Sequence, residues 1–397
     1  MRESADLLAW AILARAPGLT VALLSAALER LHPPAALVSA SEAAWEAAGL
    51  PAVTRDFLSC TAASGSTSTS GSTTRGHASL RRRLDSLQRW LESPHHELIP
   101  FTDPRFPSGL KALNDCPIAL HVSGRVEALT YPQLAVVGSR HPTAQGRENA
   151  SCLSRALSER GLCITSGMAE GIDACAHQGA LDVQGGTLGI LGAGIDVIYP
   201  RCNQTLYDQV AQYGTLVSEF SLGEPPRRRN FPRRNRLIAA LGLGTLVVEA
   251  APRSGSLLTA TLARAYGRQV FAVPGSIHNP LSRGCHALIK KGAALVEDAD
   301  DILLKLNFSA FFANDLAHPP SPTCNARDTS GMDKDHKILL DALGFDPVDL
   351  DSLIVRTGFK PEAVSSMMLI LELEGHVQTA PGGRYSRVAY RRAGGER

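Results

Sequence analysis

The feature that most constrains this chain is a series of short apolar runs, ending in glycine, serine or acidic residues and separated by amphipathic stretches. The series starts near residue 98 and comprises "LAVVGS", "CITSG", "TLGILGAG", "TLVSEF", "LGTLVVEA", "QVFAVPGS" and "ALVED". Continuous apolar strands that alternate with helices are typical of a parallel sheet with helices on both faces. The sequence therefore predicts an α/β fold, with a parallel-sheet domain and its leading helix over residues 80–305.

Further modules flank the predicted sheet domain. Residues 1–63 carry leucine, alanine and tryptophan at helical spacing, which predicts a small helical domain, compatible with a helix-hairpin-helix or SAM-like module. Residues 64–79 form a low-complexity stretch of serine, threonine and glycine, and residues 306–334 are rich in proline, asparagine and serine. Such compositions do not bury enough apolar surface to order themselves, so both stretches are predicted linkers.

Residues 335–397 show the order helix, turn, helix and β-hairpin, which predicts a winged-helix-like domain. Pro361 opens the second helix, at a position where proline is favoured. A helix in this place often reads the DNA major groove, but this one is mostly apolar and offers few hydrogen-bond donors. DNA reading, a protein contact and a purely structural role therefore stay open for this module.

The composition excludes several classes of protein. The 397 residues carry a formal net charge of only +2, so the whole molecule is not a polycation. The eight cysteines show no zinc-ligand spacing, and no apolar run reaches the length of a membrane span. Because the sequence also lacks a signal-peptide pattern, we expect a cytoplasmic protein without a membrane segment and without a bound metal.

Five of the predicted strands end in small or turn-forming residues. These turns are "VVGSRHPTAQG", "ITSGMAEGID", "ILGAGID", "VEAAPRSGSLLTA" and "VPGS". Glycine and serine allow the backbone to approach a ligand closely, and a helix N-terminus presents unpaired N–H groups to an anion. Because the carboxyl ends of parallel strands share one edge, the turns predict a phosphate-binding surface. No cofactor is predicted, since neither a complete G-x-G-x-x-G fingerprint nor a Walker A triplet is present.

A block of positive charge is predicted at the same edge, between "TLVSEF" and the next helix. Residues 227–236, "RRRNFPRRNR", hold six arginines, which exceed what one mononucleotide requires. Arginine on phosphates and the Phe231 ring under a base suit a single nucleic-acid strand. The alternative interpretation is a solvated basic loop with Phe231 in the core.

A nucleotide-processing hydrolase on a similar sheet is the alternative function, with Glu249 or Asp173 as its acid. Asp173 and Asp196 stand where acids cap helices or fix loops. His177 follows Asp173 by one helical turn and has no third partner in the sequence pattern. We therefore expect structural roles for these groups and no catalytic residue.

Six motifs between about residue 98 and residue 305 resemble, in order and spacing, those of the DNA-processing protein A family (DprA, also called Smf). They are "AVVGSRHPTAQG", "ITSGMAEGIDACAHQGAL", "ILGAGIDVIYPRCNQTLY", "LVSEFSLGEPPRRRNFPRRNRLIAAL", "VVEAAPRSGSLLTATLA" and "VFAVPGSIHNPLSRGCHALIKKGA". The front helices and the tail resemble the flanking modules of this family less specifically.

The resemblance implies an extended Rossmann-like domain without known catalytic activity. It further implies a cytoplasmic bacterial homodimer that binds single-stranded DNA and loads the recombinase RecA during natural transformation. The DNA site implied by the matching motifs comprises Gly138, Ser139, Arg140, Ser166, Gly167, Met168, Gly171, Phe231, Arg233, Arg234, Asn235, Arg236, Ser254, Gly255 and Ser256. Among the arginines of the loop, we expect Arg233, Arg234 and Arg236 to contact phosphate.

Overall fold

The computed structural model describes residues 2–62, 74–308, 333–345, 347–380 and 382–388. The helices in this part of the chain are α1 Arg2–Leu13, α2 Val21–Arg30, α3 Pro34–Val38, α4 Glu42–Ala47, α5 Ala52–Ala62, α6 Thr74–Leu91, α7 Ser108–Lys111, α8 Ala144–Glu159, α9 Ile172–Leu181, α10 Gln204–Tyr213, α11 Asn230–Leu241, α12 Gly255–Ala265, α13 Arg283–Lys290, α14 Ala299–Lys305, α15 Lys334–Leu343, α16 Leu350–Thr357 and α17 Pro361–Leu373. The strands are β1 His96–Pro100, β2 Ala119–Gly124, β3 Gln133–Val137, β4 Cys163–Ser166, β5 Thr187–Ile190, β6 Thr215–Ser218, β7 Gly244–Val247, β8 Gln269–Ala272, β9 Ala294–Leu295, β10 Val348–Asp349, β11 Val377–Ala380 and β12 Arg384–Arg387.

Nine strands form one sheet, in the order β1-β2-β6-β5-β4-β3-β7-β8-β9. All neighbours from β6 to β9 are parallel, which confirms the predicted fold class, an extended Rossmann-like sheet. The sequence predicted no strand at β1 or β2, which add an antiparallel extension beyond β6. These two strands lie before the first glycine turn and are joined by an irregular segment rather than by a tight hairpin, so the repeated pattern does not include them.

The central strands are buried on both faces. Leu134 and Val136 of β3 pack on one face with α8, α9 and α14, whereas Ala135 and Val137 pack on the other face with α11, α12 and α13. This alternation is the two-residue period of a strand, and burial of both sets explains why the run is apolar throughout. The two layers of helices hold the strand ends, and the turns that follow them, in fixed positions.

The chain order reverses at β3. From β3 the chain moves outward through β4, β5 and β6, and it then returns to place β7 on the other side of β3. Open α/β sheets bind their ligands at such a switch point, in the crevice outside the carboxyl ends of the strands. The crevice here lies between the turn after Val137 and the turn after Val247.

The N-terminal helices pack against the antiparallel end of the sheet. The Trp10 ring meets Phe101, which follows β1, edge to face at 5.6 Å between the ring centres. Residues 74–79, which the sequence placed in the linker 64–79, form the start of α6, which extends from Thr74 to Leu91. Residues 64–73, and residues 309–332 of the second predicted linker, lie outside the described residues.

The C-terminal elements confirm the winged-helix-like domain. Helices α15, α16 and α17 enclose a separate apolar core with the small sheet β10-β12-β11. Helix α17 buries Val364, Met368 and Leu371 and leaves Leu369 and Leu373 exposed. In the described parts of the chain, no helix is both long enough and apolar enough to cross a membrane.

Candidate nucleic-acid interface

An open cavity of about 250 Å³ lies at the switch point of the sheet. It is walled by the turns after β3, β4 and β7, by one face of α11 and by the start of α12. Eight of the predicted site residues line it, namely Gly138, Arg140, Phe231, Arg234, Asn235, Ser254, Gly255 and Ser256. The structure thus brings together residues that are up to 118 positions apart in the sequence.

The turn after β3, which carries Arg140, is held by Glu249. The carboxylate of Glu249 accepts hydrogen bonds from Thr143 N at 2.9 Å and from Thr143 Oγ1 at 2.6 Å. Its backbone carbonyl accepts a further hydrogen bond from Ser139 N at 2.7 Å. Both carboxylate oxygens of the buried Glu249 are therefore engaged at the N-terminus of α8, where a negative charge is favoured.

The turn after β4 forms a further part of the cavity wall, through Ala169 and Asp173. Ser166 is buried and donates from Oγ to Val136 O at 2.5 Å, and Met168 is buried with a left-handed backbone at φ 57°. Gly167 N donates to Asp173 Oδ2 at 3.1 Å. Burial raises the pKa of Asp173, and the charge of Arg234 opposes that shift. Asp173 thus fixes this loop, the role that the sequence predicted for it.

Arg234 is a buried structural arginine as well as a cavity residue. Its guanidinium donates to the carbonyl oxygens of Gly167 and Ile190, at the ends of β4 and β5, and from Nε to Asn235 Oδ1 at 3.1 Å. A Cβ at Gly167 would lie 2.5 Å from Arg234 Nη1, so only glycine leaves room for the guanidinium there. Burial lowers the pKa of Arg234, and the negative charge of Asp173 partly offsets this decrease.

Arg233 and Arg236 converge on the buried Glu219, which follows β6. Arg236 contacts Glu219 Oε2 at 2.5 Å and Asp115 Oδ2 at 2.8 Å, and its side chain is nearly inaccessible. Arg233 contacts Glu219 Oε1 at 3.2 Å, but 59% of its side chain is exposed. Burial raises the pKa of Glu219, and the two arginines counteract this effect. Arg236 does not line the switch-point cavity, although Asn235 before it and Ile238 after it do.

An aromatic and cationic cluster rims the cavity. The half-buried Phe231 ring lies 5.7 Å from the Tyr199 ring, and the guanidinium of Arg140 stands 5.7 Å above the Phe231 ring centre. Arg140 is exposed, and Tyr199 is 43% exposed. Tyr199 is not among the site residues predicted from the sequence, although "IYPR" directly after the third glycine turn places an aromatic and a basic residue at the same edge.

Tyr199 is held in place by hydrogen bonds of its own loop. Tyr207 Oη donates to Tyr199 O at 2.7 Å. Asn203 Nδ2 donates to Met168 O at 3.0 Å, which ties the loop after β5 to the turn after β4. The aromatic rim is therefore built from rigid elements rather than from a free loop.

The first turn of α12 forms the opposite wall of the cavity. Ser254 caps this helix by accepting a hydrogen bond from Ser256 N at 3.3 Å, and its hydroxyl shares a second hydrogen bond with Ser256 Oγ at 2.6 Å. A Cβ at Gly255 would meet nothing within 4 Å. Gly255, the first residue of the helix, therefore borders an open space at a helix N-terminus, where an anion is favoured.

His177 and Asp196, the other titratable groups considered for a hydrolase, form hydrogen bonds that stabilise the fold. His177 is buried and its Nδ1 pairs with Thr187 Oγ1 at 2.7 Å, while Asp196 accepts from Gly223 N at 2.8 Å. Burial lowers the pKa of His177 to about 3, so the ring is neutral at physiological pH. Over the described ranges, no group of three or more histidine, cysteine or acidic side chains is placed to hold a metal ion.

The sequence matches known proteins over most of its length. Residues 97–307 match the family model of DNA recombination-mediator protein A, and residues 319–383 match the model of the DprA winged helix domain. The chain is 43% identical to Protein Smf of Escherichia coli (strain K12) over 304 residues, which cover 76% of this chain and 80% of that protein. It is 43% identical over 206 residues to DNA processing protein DprA of Streptococcus pneumoniae, covering 52% of this chain and 73% of that protein.

A solved structure shows the same architecture. The DNA processing protein A (DprA) of Streptococcus pneumoniae superposes with a TM-score of 0.60 at 34% sequence identity. The superposition covers 75% of this chain and 97% of that structure. The resemblance that the six motifs indicated is confirmed by these matches.

Proposed function

Because this chain belongs to the DNA recombination-mediator protein A (DprA/Smf) family, we propose that it binds single-stranded DNA at the switch-point cavity. The observation that carries the proposal is the rim, where the exposed Arg140 stands over the Phe231 ring beside Tyr199. A cation for a phosphate next to two aromatic faces for bases is the combination that single-strand binding requires. Paired bases of a duplex do not offer their faces to such a rim.

Phosphate capture is assigned to the groups that have free hydrogen-bonding capacity at the cavity. Arg140 is exposed on one wall, and the backbone N–H of Gly255 lies on the other wall, at the start of α12. The exposed Arg228 and Arg229 precede α11 and extend the positive charge outside the cavity. These groups hold a backbone without reading its sequence, so binding depends on charge and on stacking.

The predicted phosphate contacts of Arg233, Arg234 and Arg236 stay a prediction. Each guanidinium already has protein partners, and Arg234 and Arg236 are buried. Contact with a phosphate requires that these side chains leave a carbonyl or the carboxylate of Glu219. We therefore propose that Arg234 and Arg236 position the segment that presents Phe231. Arg233 is half exposed, so its charge is the most accessible of the three to a phosphate.

A binding role is favoured over the alternative hydrolase. Both oxygens of Glu249 are occupied by Thr143, and Asp173 holds the turn after β4. Neither carboxylate can position a water molecule or transfer a proton in the cavity without losing the hydrogen bonds that hold its loop.

We further propose that the protein acts as a homodimer and delivers the bound strand to RecA. Two cavities on one strand raise the overall affinity because the second contact is intramolecular. The family model describes a recombination mediator, which supports the delivery step. Light scattering tests the dimer, and stimulation of RecA filament formation on DNA coated with a single-strand-binding protein tests the delivery.

The central experiment compares fluorescence anisotropy of labelled single-stranded and blunt duplex DNA over a range of salt. We expect tighter binding of the single strand, with an affinity that falls steeply as salt rises. Phe231→Ala is expected to weaken the binding free energy for the single strand by about 1–3 kcal/mol, the usual contribution of one stacked base. Weak binding to duplex DNA should stay unchanged. Equal affinity of the wild-type protein for both forms would refute the proposal.

A further inference from the structure

The segment from Ala250 to Val296 carries an unusual charge. It contains six basic residues and no acidic residue, although the net charge of the whole chain is only +2. Arg253 precedes α12 and Arg283 begins α13, so both lie at the carboxyl edge of the sheet. The other four basic residues, Arg264, Arg268, Lys290 and Lys291, lie toward the opposite edge, where α12 and α13 end.

Backbone hydrogen bonds join the two loops that carry Arg253 and Arg283. Ala250 N donates to Leu281 O at 2.7 Å, and Gly284 N donates to Ala250 O at 2.8 Å. The loops after β7 and β8 therefore form one continuous surface. Both arginine side chains are exposed, and within the described residues neither guanidinium lies in an ion pair.

This surface is continuous with the switch-point cavity. Ser254, next to Arg253 in the chain, lines the cavity, whereas Arg283 lies on the far side of β7, after β8. Neighbouring strands are about 4.8 Å apart, so the path from β3 over β7 to β8 measures roughly 10 Å. Ile277, in the loop after β8, is 73% exposed and offers an apolar contact on the same path.

We propose that the DNA site extends beyond the cavity onto the loops after β7 and β8, where Arg253 and Arg283 form a second phosphate-binding patch. The proposal rests on the proposed single-strand binding, because the patch takes the stretch of the same strand that leaves the cavity. Two guanidiniums that form no ion pair with another described residue, in a stretch without carboxylates, attract a polyanion. The patch adds affinity for long strands and none for strands that fill the cavity alone.

The test uses the double variant Arg253→Ala/Arg283→Ala in the full chain, with Lys290→Ala/Lys291→Ala as a matched control. Both variants remove two positive charges from the same acid-free segment, at opposite edges of the sheet. Binding is measured by anisotropy with oligothymidylates of about 2 and about 20 nucleotides. The short one cannot span the roughly 10 Å to the patch, and the two lengths bracket the usual single-strand site sizes. All four side chains are solvent-exposed cations, and thermal melts verify that each variant is folded.

We expect the arginine variant to bind the long oligonucleotide roughly three- to tenfold more weakly than the wild-type protein. The slope of log affinity against log salt is expected to decrease by about 1.4, the value for two lost single-strand phosphate contacts. Affinity for the short oligonucleotide stays unchanged, and the lysine variant binds both lengths like the wild-type protein.

The outcomes separate the two proposals. Equal weakening by the arginine and lysine variants would mean that only net charge matters, and it would overturn the patch. Weakening of short and long oligonucleotides alike would place both arginines inside the cavity site and would also overturn it. If the wild-type protein binds neither oligonucleotide, the proposed function itself fails.

Discussion

The six arginines of residues 227–236 fall into a buried group and an exposed group, with different consequences for the protein. Arg234 lies in the interior and satisfies the carbonyl groups of Gly167 and Ile190, where two strands end. Arg233 lies one residue earlier and is mostly exposed on Glu219. Burial without a partner is costly for a carbonyl group, whereas an exposed ion pair adds little to stability.

Arg234→Ala is therefore expected to lower the free energy of unfolding by about 3 kcal/mol, since it leaves two buried carbonyl groups without donors. Arg233→Ala, the matched control with the same chemical change, is expected to stay within about 1 kcal/mol of the wild-type value. Urea denaturation followed by circular dichroism measures both. Similar losses for the two variants would contradict the distinction between them.

Residue-scale detail was only partly predictable from the sequence. The block of charge and its place at the strand edge follow from composition and from the repeated pattern. Which guanidinium is buried depends on Glu219 and Asp115, and these partners come from other segments of the chain. Tyr199 reaches the rim through the loop after β5, and its role becomes visible only when Phe231 is placed beside it.

The parallel strands β3 to β9 of the sheet domain were predictable because turn-forming or acidic residues mark where each apolar run stops. A buried parallel strand must be apolar throughout, and the turn after it must let the chain enter a helix. Gly171 shows how strict this requirement is, since its φ is 79° and a Cβ there would lie 2.5 Å from Arg140 O. The strands β1 and β2 carry no such turn. They are strands because β2 pairs with β6 and β1 pairs with β2, and no local signal in the sequence indicates this.

Two glycines of these turns are expected to respond differently to substitution by alanine. Gly171→Ala should destabilise the protein by about 1–3 kcal/mol, because of its positive φ and of the contact with Arg140, and should weaken DNA binding. The methyl group added by Gly255→Ala would contact no neighbouring atom. The free energy of unfolding of this variant should therefore be unchanged or up to about 1 kcal/mol higher. Its affinity for single-stranded DNA should nevertheless fall, since the methyl group occupies the space in front of the α12 N-terminus. Thermal melts and anisotropy together measure the pair, and full DNA affinity of Gly255→Ala would remove this helix start from the site.

At the scale of the whole molecule, two buried histidines link stability to pH. Burial lowers the pKa of His121 to about 4 and that of His177 to about 3, and the charge of Arg234 adds to the shift at His177. The unfolded chain keeps a histidine pKa of about 6.5 and therefore binds protons first as the pH falls. The stability that these neutral rings contribute is complete above about pH 6.5 and is lost progressively as the pH falls from there toward the folded pKa values.

We expect the wild-type protein to lose about 2 kcal/mol of unfolding free energy per buried histidine between pH 7.5 and pH 5. The reason is that pH 5 lies about 1.5 units below the unfolded pKa of about 6.5, and one unit corresponds to about 1.4 kcal/mol. His177→Asn, which offers an amide N–H to Thr187 in place of the ring N–H, removes one titrating group. The variant starts from a lower stability, since it leaves unfilled volume, but its loss of unfolding free energy between the two pH values should be about 2 kcal/mol smaller.

The raised pKa values of Asp173 and Glu219 increase stability as the pH falls, in the wild-type protein and in the variant alike. Their effect therefore cancels when the two losses are subtracted. Urea midpoints at the two pH values give this difference, and an identical loss in both proteins would mean that His177 accepts its proton without unfolding the sheet domain.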